Sequence, residues 1–282
     1  MIRFSKNKIG LHTLPEKLSE SIEQNLKLGV YTLLVCNTNN NYSMHKQLDD
    51  DILTKSSLNL ERFPMEIFCQ TPKLYNLCGS TKFLAWNGNL YQDQETLEII
   101  NSINEDISLF GKVGGVIISP GYFKHEILGK NSSIKSLNKL KYNKDAGVQV
   151  ILCNLYPTLK FAIAKSIPDL YSLFSGCSSE TRGHLGVGLN LGFYFVNNLY
   201  DIGSEEGIVS LFSEYDELFE KPMSFVIFED YCFNTQRSCC LGSGDIKYTS
   251  GAVSTILDYC YYKHIPIITH CSEDIDFILR IK

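Results

Sequence analysis

Apolar runs alternate with amphipathic helical patterns about eight times along the chain, and this alternation restricts the possible folds more than any other feature. Strands are predicted at 8–13, 30–38, 81–88, 114–121, 148–157, 184–195, 223–231 and 265–271. Runs such as VYTLLVCNT are apolar on both faces, as in parallel strands that are buried between other elements. Eight strands with helical crossovers predict a closed (β/α)8 barrel that occupies residues 1–282 as a single domain.

Two competing classes of α/β fold lack support in the sequence. A dinucleotide-binding sheet carries GxGxxG after its first strand and a P-loop protein carries GxxxxGK[ST], and neither pattern is present. The glycine-rich GVGLNLG in the sixth unit has a different spacing. Residues 43–79 are ambiguous, and we interpret them as a helical region that ERFP interrupts.

Composition places the chain among globular proteins with one large core, because 44% of its residues are hydrophobic and 20% are charged. The net charge of −5 gives no overall basic signature for nucleic-acid binding. No apolar run approaches the roughly 18 residues of a membrane helix. The ten cysteines are scattered through apolar patterns, which predicts free thiols in a reducing compartment and hence a soluble intracellular protein, cytoplasmic or nuclear.

Polar but mostly uncharged residues end the predicted strands, where (β/α)8 enzymes place their active sites. In chain order they are His12, Thr13, Asn37, Asn87, Ser119, Cys153, Asn154, Asn190, Phe193, Glu229, Asp230, Thr269, His270 and Cys271, with Asp245 and Lys247 in the loop after the seventh strand. A hydrolytic site with two or three metal ions needs several carboxylates and imidazoles. Amides, a hydroxyl and a phenyl ring are poor ligands, so this rim does not predict such a site.

Several segments nevertheless give the chain a resemblance to a known family. They are, in chain order, IGLHT followed by VYTLLVCNTNNNY, then NGNLYQ, ISPGYF, IPDLYSLFSGCSSETRGHLGVGLNLGFYFVNNLYDI, LGSGDIKYTSGAV and HIPIITH. In order and spacing the chain resembles the endonuclease IV family of apurinic/apyrimidinic (AP) endonucleases, which are metal-dependent barrels of the xylose-isomerase-like type. The resemblance covers essentially the whole chain and implies the same barrel architecture.

The resemblance also implies which residues stand at the family's metal-binding positions. Asn190 and Phe193 stand where a metal-binding Asp and His are expected. Of the remaining positions, Asn87, Ser119, Ile227 and Lys247 stand for His, Cys153 and Thr269 stand for Glu, and Asp245 alone keeps its acid. A shift of register on the seventh strand would replace Ile227 by Glu229, and His12 matches the family's N-terminal His. One carboxylate cannot hold a trinuclear zinc site, so we expect no metal cofactor.

We therefore expect a catalytically degenerate endonuclease IV-like barrel, a pseudoenzyme that acts as a binding or structural protein. Its partner would be DNA, bound weakly, or another protein. The first alternative is an active metal-dependent AP endonuclease in DNA repair with a rearranged site, and the second is a barrel enzyme with new chemistry around Asp245, Asp230 and Cys153. Others are a metal-free scaffold, a thiol enzyme that uses Cys153, and a metal held by Cys153, Cys271 and His270 with Cys239 or Cys240.

The segment 124–144 is the one strongly basic stretch of the chain, with six lysines. Such a run is usually a solvated helix face, but at the rim of a DNA-binding barrel it would meet phosphates. The abundance of Asn, Lys, Ile and Tyr is typical of an AT-rich genome and is consistent with an origin in a large DNA virus.

Overall fold

The computed structural model describes residues 9–36, 44, 48, 65–71, 94–123, 125–154 and 162–280. Eight parallel strands form a closed barrel: β1 (Ile9–Thr13), β2 (Thr32–Val35), β3 (Glu66–Gln70), β4 (Gly114–Ile118), β5 (Val150–Cys153), β6 (Leu185–Asn190), β7 (Phe225–Ile227) and β10 (Ile267–Thr269). A separate antiparallel hairpin consists of β8 (Asp230–Cys232) and β9 (Arg237–Cys239). Around the barrel the strand order is β1-β10-β7-β6-β5-β4-β3-β2. The predicted (β/α)8 barrel is confirmed.

Two predicted strands are too long, because the sixth ends at Asn190, where residues 191–196 form a helix, and the seventh ends at Ile227. The third strand was predicted in the wrong place. It spans Glu66–Gln70, inside the region interpreted as helical, and it pairs with β2 at one edge and β4 at the other. Its core, Ile67-Phe68-Cys69, is a short apolar run, which periodicity alone cannot assign to a strand or a buried helix. The predicted strand at 81–88 lies outside the described residues.

Helices follow the barrel strands and pack on the outside of the barrel. The described helices are α1 (Leu18–Leu28), α2 (Gln94–Phe110), α3 (Glu126–Leu137), α4 (Ile167–Gly176), α5 (Ser179–His184), α6 (Leu191–Val196), α7 (Glu205–Leu218), α8 (Ser250–Tyr262) and α9 (Ser272–Arg280). Hydroxyl side chains cap several of them, as Ser204 does for α7 and Thr249 for α8. None of these described helices is long and apolar enough to cross a membrane.

Apolar side chains fill the barrel interior, and one of them, Cys153, reaches the layer at its mouth. They are Leu34, Phe68, Ile117, Ile151, Cys153, Phe225, Ile227 and Ile268. Gly188 makes room for the ring of Phe225, because a Cβ atom there would lie 2.3 Å from the ring. Side chains two residues apart face the same side of a strand, so the next inward-facing positions are His12, Cys36, Gln70, Ser119, Cys153, Asn190, Glu229 and His270. These eight residues surround the carboxyl-terminal mouth of the barrel.

The β8–β9 hairpin follows β7 directly and stands beside this mouth. Asp230 holds it in place, because its carboxylate accepts hydrogen bonds from the backbone N–H groups of Tyr231, Gly242, Gly244 and Ile246. Four amide donors leave this buried carboxylate fully engaged with the backbone. Asp230 is therefore a structural residue of the loop after β7.

Candidate functional site

Three inward-facing side chains meet at the mouth of the barrel: His12, Glu229 and His270. They come from β1, from the residue pair after β7, and from the residue after β10, and these strands are neighbours because β10 pairs with both β1 and β7. The two imidazole rings lie with their centroids 5.6 Å apart and nearly perpendicular. His270 Nδ1 lies 4.0 Å from Glu229 Oε2. One potential ligand atom from each residue lies within 4.8 Å of the other two.

The polar atoms that converge there have no hydrogen-bond partner. His12 Nε2, Glu229 Oε2 and His270 Nδ1 are all buried, and none is satisfied within the part of the chain that the structure describes. A buried polar group without a partner costs about 1–3 kcal/mol. Three such atoms directed at one point therefore form an arrangement that a bound group would stabilise.

Burial determines the charge of this cluster. It raises the pKa of Glu229 to about 7, and the nearby charge of Asp274 adds to that rise, while hydrogen bonds from Ser238 and Asn190 oppose it. It lowers the pKa of His12 to about 3, with a further contribution from His270. The His12 imidazole is therefore neutral near pH 7 and keeps a lone pair for a ligand bond.

Hydrogen bonds fix the orientation of Glu229. Its Oε1 atom accepts from Asn190 Nδ2 at 2.7 Å and from the Ser238 hydroxyl at 2.6 Å. Its backbone carbonyl accepts from the Tyr248 hydroxyl at 2.9 Å. With Oε1 held in this way, Oε2 is the oxygen that points toward the two histidines.

The side-chain amide of Asn190, at the end of β6, makes hydrogen bonds to two neighbours at once. Its Oδ1 accepts from the backbone N–H of Phe193 and caps α6, while its Nδ2 donates to Glu229. The Asn154 side chain in turn bonds the backbone N–H and carbonyl of Asn190, at 2.7 and 2.9 Å. An ionised aspartate could provide the cap but not the donor. An amide at this strand end is therefore the side chain that can also donate to the Glu229 carboxylate.

The other predicted positions of the seventh and eighth barrel strands lie away from the cluster. Ile227 packs in the apolar interior, one layer below Glu229. Thr269 is buried on the opposite face of β10 from His270, and its hydroxyl donates to the Gly10 and Cys271 carbonyls. The predicted register is thus displaced by two residues on β7 and by one on β10, and Glu229 and His270 take the positions at the mouth.

The predicted loop residues after β7 do not contact the cluster. Asp245 is exposed and accepts from the backbone N–H of Phe233 at 2.7 Å, which ties the hairpin to the loop. Lys247 is exposed, and its ammonium lies 3.4 Å from the Gly244 carbonyl. Neither residue contributes a ligand atom at the barrel mouth.

The remaining predicted residues offer poor ligands. Ser119 and Cys153 are buried, and burial raises the pKa of the Cys153 thiol far above its usual range, so it stays protonated. Phe193 packs against the barrel interior and against Tyr231 edge to face. Asn87 lies outside the described residues. A hydroxyl, a protonated thiol, an amide and a phenyl ring do not fit the trinuclear zinc centre that the resemblance implies.

A second group of possible ligands, Cys240, Cys271 and Asp274, lies next to the first. Asp274 accepts backbone hydrogen bonds from Leu241, His270 and Cys271, which anchor the start of α9. Its oxygen atoms are thus already satisfied. The two thiols alone would make an incomplete metal site.

The basic segment 124–144 lies largely at the wrong end of the barrel for contact with the mouth. Lys130 in α3 forms ion pairs with Glu126 and Asp169 at 2.8 Å each. Lys141 and Lys144 come after α3 and before β5. In a parallel barrel that connection lies at the amino-terminal ends of the strands, opposite the cluster.

Comparison with known proteins supports the fold. No family profile and no curated protein sequence matches the chain. AsfvAP, a protein of African swine fever virus, superposes with a TM-score of 0.70 at 9% identity over 96% of this chain and 94% of its own. Endonuclease IV from Thermus thermophilus gives 0.68 at 15% identity, over 97% of this chain and 96% of its own. A D-tagatose 3-epimerase-like protein gives 0.67 at 12% identity, over 95% and 93%. The predicted likeness in fold to endonuclease IV and xylose-isomerase-like barrels is confirmed.

Proposed function

We propose that this chain is an endonuclease IV-like barrel without three-metal hydrolytic chemistry, and that it acts as a DNA-binding protein rather than as an AP endonuclease. The proposal rests on one observation: most polar side chains at the mouth are already hydrogen-bonded to one another. Asn154, Asn190, Ser238 and one oxygen of Glu229 bond one another. Among the buried nitrogen and oxygen atoms of the described residues at the mouth, three have no hydrogen-bond partner, and three are too few for three metal ions.

The loops at the mouth supply the surface for DNA. Arg237 and Lys247 are exposed on the segments after β7, and Phe233 at the hairpin turn is half exposed. Arginine and lysine bind phosphates, and an exposed aromatic ring can stack on an unpaired base. Because only these two cationic side chains act against a net charge of −5, we expect weak binding to DNA. Added salt should weaken it further.

Nuclease assays on an abasic-site duplex test the loss of activity. We expect no cleavage with magnesium, manganese or zinc present. Three tightly bound metal ions per chain together with cleavage that Glu229→Gln abolishes would establish the alternative, an active AP endonuclease with a rearranged site.

Fluorescence anisotropy with the same duplex tests the binding surface. The double variant Arg237→Gln, Lys247→Gln should weaken binding and reduce its salt dependence. The charge-matched control is Lys141→Gln, Lys144→Gln, which removes two exposed lysines at the opposite end of the barrel. If both variants lose affinity equally, or if the wild type binds no DNA even at low salt, the mouth is not a DNA-binding surface.

We also propose that the chain comes from a large DNA virus. Its richness in Asn, Lys, Ile and Tyr and its likeness in fold to an African swine fever virus protein support an origin in a large DNA virus.

A further inference from the structure

We propose that His12, Glu229 and His270 bind a single divalent transition-metal ion at the mouth of the barrel. The site differs from a trinuclear centre in its number of ions. It does not depend on the proposed DNA binding, and it requires no hydrolytic activity.

The geometry directs three ligand atoms to one point. β1, β10 and β7 are consecutive in the barrel, and continuing their strand registers puts His12, His270 and Glu229 side by side. His270 Nδ1 and Glu229 Oε2 are 4.0 Å apart, which is too long for a hydrogen bond. A tetrahedral zinc ion with bonds of about 2.0–2.2 Å holds two ligand atoms about 3.3–3.6 Å apart, so the two side chains need to approach by about half an ångström to share a cation.

The absence of competing partners strengthens this argument. Buried polar groups in folded proteins are nearly always hydrogen-bonded. Here three unsatisfied atoms, His12 Nε2, Glu229 Oε2 and His270 Nδ1, lie together, and no described side chain or backbone group reaches them. A metal ion satisfies all three at once and also removes the energetic cost of a buried carboxylate.

The surroundings hold the carboxylate ready for the ion. Asn190 and Ser238 occupy Glu229 Oε1, so Oε2 is presented without further rearrangement. Such outer hydrogen bonds orient metal ligands, and their loss commonly lowers metal affinity about 10–100-fold. Ser238 is therefore a positioning residue for this site.

The donor set indicates the class of ion. Two imidazole nitrogens and one carboxylate oxygen suit Zn²⁺, Fe²⁺ or Co²⁺ and do not suit Mg²⁺ or Ca²⁺, which prefer oxygen ligands. Three protein ligands on one side leave positions for exchangeable ligands that approach from the mouth, as in non-haem Fe(II) and catalytic zinc sites.

Titration with Co²⁺ tests the site, because bound cobalt has visible absorption bands that report its ligands. The full chain is stripped with chelator, titrated with Co²⁺, and then challenged with Zn²⁺. We expect one ion per chain, displacement by zinc, and no intense sulfur-to-cobalt charge-transfer band.

Variants then assign the ligands. His12→Asn, Glu229→Gln and His270→Asn should each weaken binding at least 100-fold, and Ser238→Ala about 10–100-fold. His125→Asn removes an exposed histidine that is not part of the cluster and should leave binding unchanged. Circular dichroism confirms that each variant is folded.

Three results would overturn the inference. These are the failure of the folded wild type to bind millimolar cobalt, equal binding by the ligand variants, and a sulfur charge-transfer band that Cys271→Ser removes. The last result would place the ion at Cys240 and Cys271. Three bound ions per chain would instead contradict the proposed function, so the two ideas fail in different ways.

Discussion

Replacing Asn190, at the end of β6, by an aspartate should lower the stability of this protein. In Asn190→Asp the new carboxylate keeps the cap on Phe193 but loses the donor to Glu229 Oε1, 2.7 Å away. Two carboxylates then face each other in a buried site. A lost hydrogen bond to a charged group is worth about 1.5–3 kcal/mol, and like-charge repulsion adds to it. We therefore expect the free energy of unfolding to fall by about 3 kcal/mol at neutral pH.

The loss should depend on pH in a defined direction. Burial already raises the pKa of Glu229 to about 7 from an ordinary 4.5, so the folded wild type retains a proton that the unfolded chain releases. Stability linked to this group is thus lost as the pH rises from 4.5 to 7. In the variant the new carboxyl can keep its proton at low pH and donate it to Glu229 Oε1, so the loss of stability is small there. As the pH rises this carboxyl ionises, the donor disappears, and the loss grows toward about 3 kcal/mol at neutral pH.

Urea denaturation of metal-free wild type and variant at about pH 4.5, 6.0 and 7.5 measures this effect. A loss of about 3 kcal/mol corresponds to a Tm lower by roughly 5–10 °C at neutral pH. Asn234→Asp adds the same charge at an exposed position of the hairpin and should change little. Equal stability of wild type and Asn190→Asp at the highest of these pH values, or a difference that does not vary with pH, would refute the argument.

Three further substitutions test the framework around the site. Asp230→Ala removes the acceptor of four backbone N–H groups and should lower the free energy of unfolding by more than about 3 kcal/mol in urea denaturation. Gly188→Ala places a methyl group 2.3 Å from the Phe225 ring and should cost about 1–3 kcal/mol, seen as a lower Tm; an unchanged Tm would mean that the ring moves freely. The ion pair with Lys130 lowers the pKa of Asp169, so its contribution is present above the ordinary pKa of an aspartate and is lost as the pH falls through the lowered value. Asp169→Asn should therefore reduce stability at neutral pH more than at about pH 3 in the same denaturation assay, and an equal loss at both would contradict this.

Most of the barrel could be predicted because hydrophobic runs mark its strands. Seven of the eight strands overlap a predicted one. The third could not be located, since Ile67-Phe68-Cys69 is too short for its period to distinguish strand from helix. Strand ends were also misplaced, by five residues on β6 and four on β7. The register of the family resemblance was off by two residues on β7 and by one on β10, which placed Ile227 and Thr269 where Glu229 and His270 belong.

The three residues of the cluster could have been grouped from the sequence. His12, Glu229 and His270 all stand at predicted strand ends, and a closed barrel makes its first and last strands neighbours. What the sequence could not show is which face of β10 turns inward, since Thr269 and His270 are both polar. Nor could it show that Asn190 and Ser238 both donate to Glu229 Oε1 and leave three atoms of the cluster without partners among the described residues.

The pairing of β1 with β10 has a consequence for folding. It joins the two ends of the described chain, and contacts between residues so distant in sequence form slowly because a long loop must close first. His12 and His270 come together only through that pairing. If the proposed metal site exists, cobalt absorption in a stopped-flow mixer would therefore report when the two ends of the barrel come together during refolding.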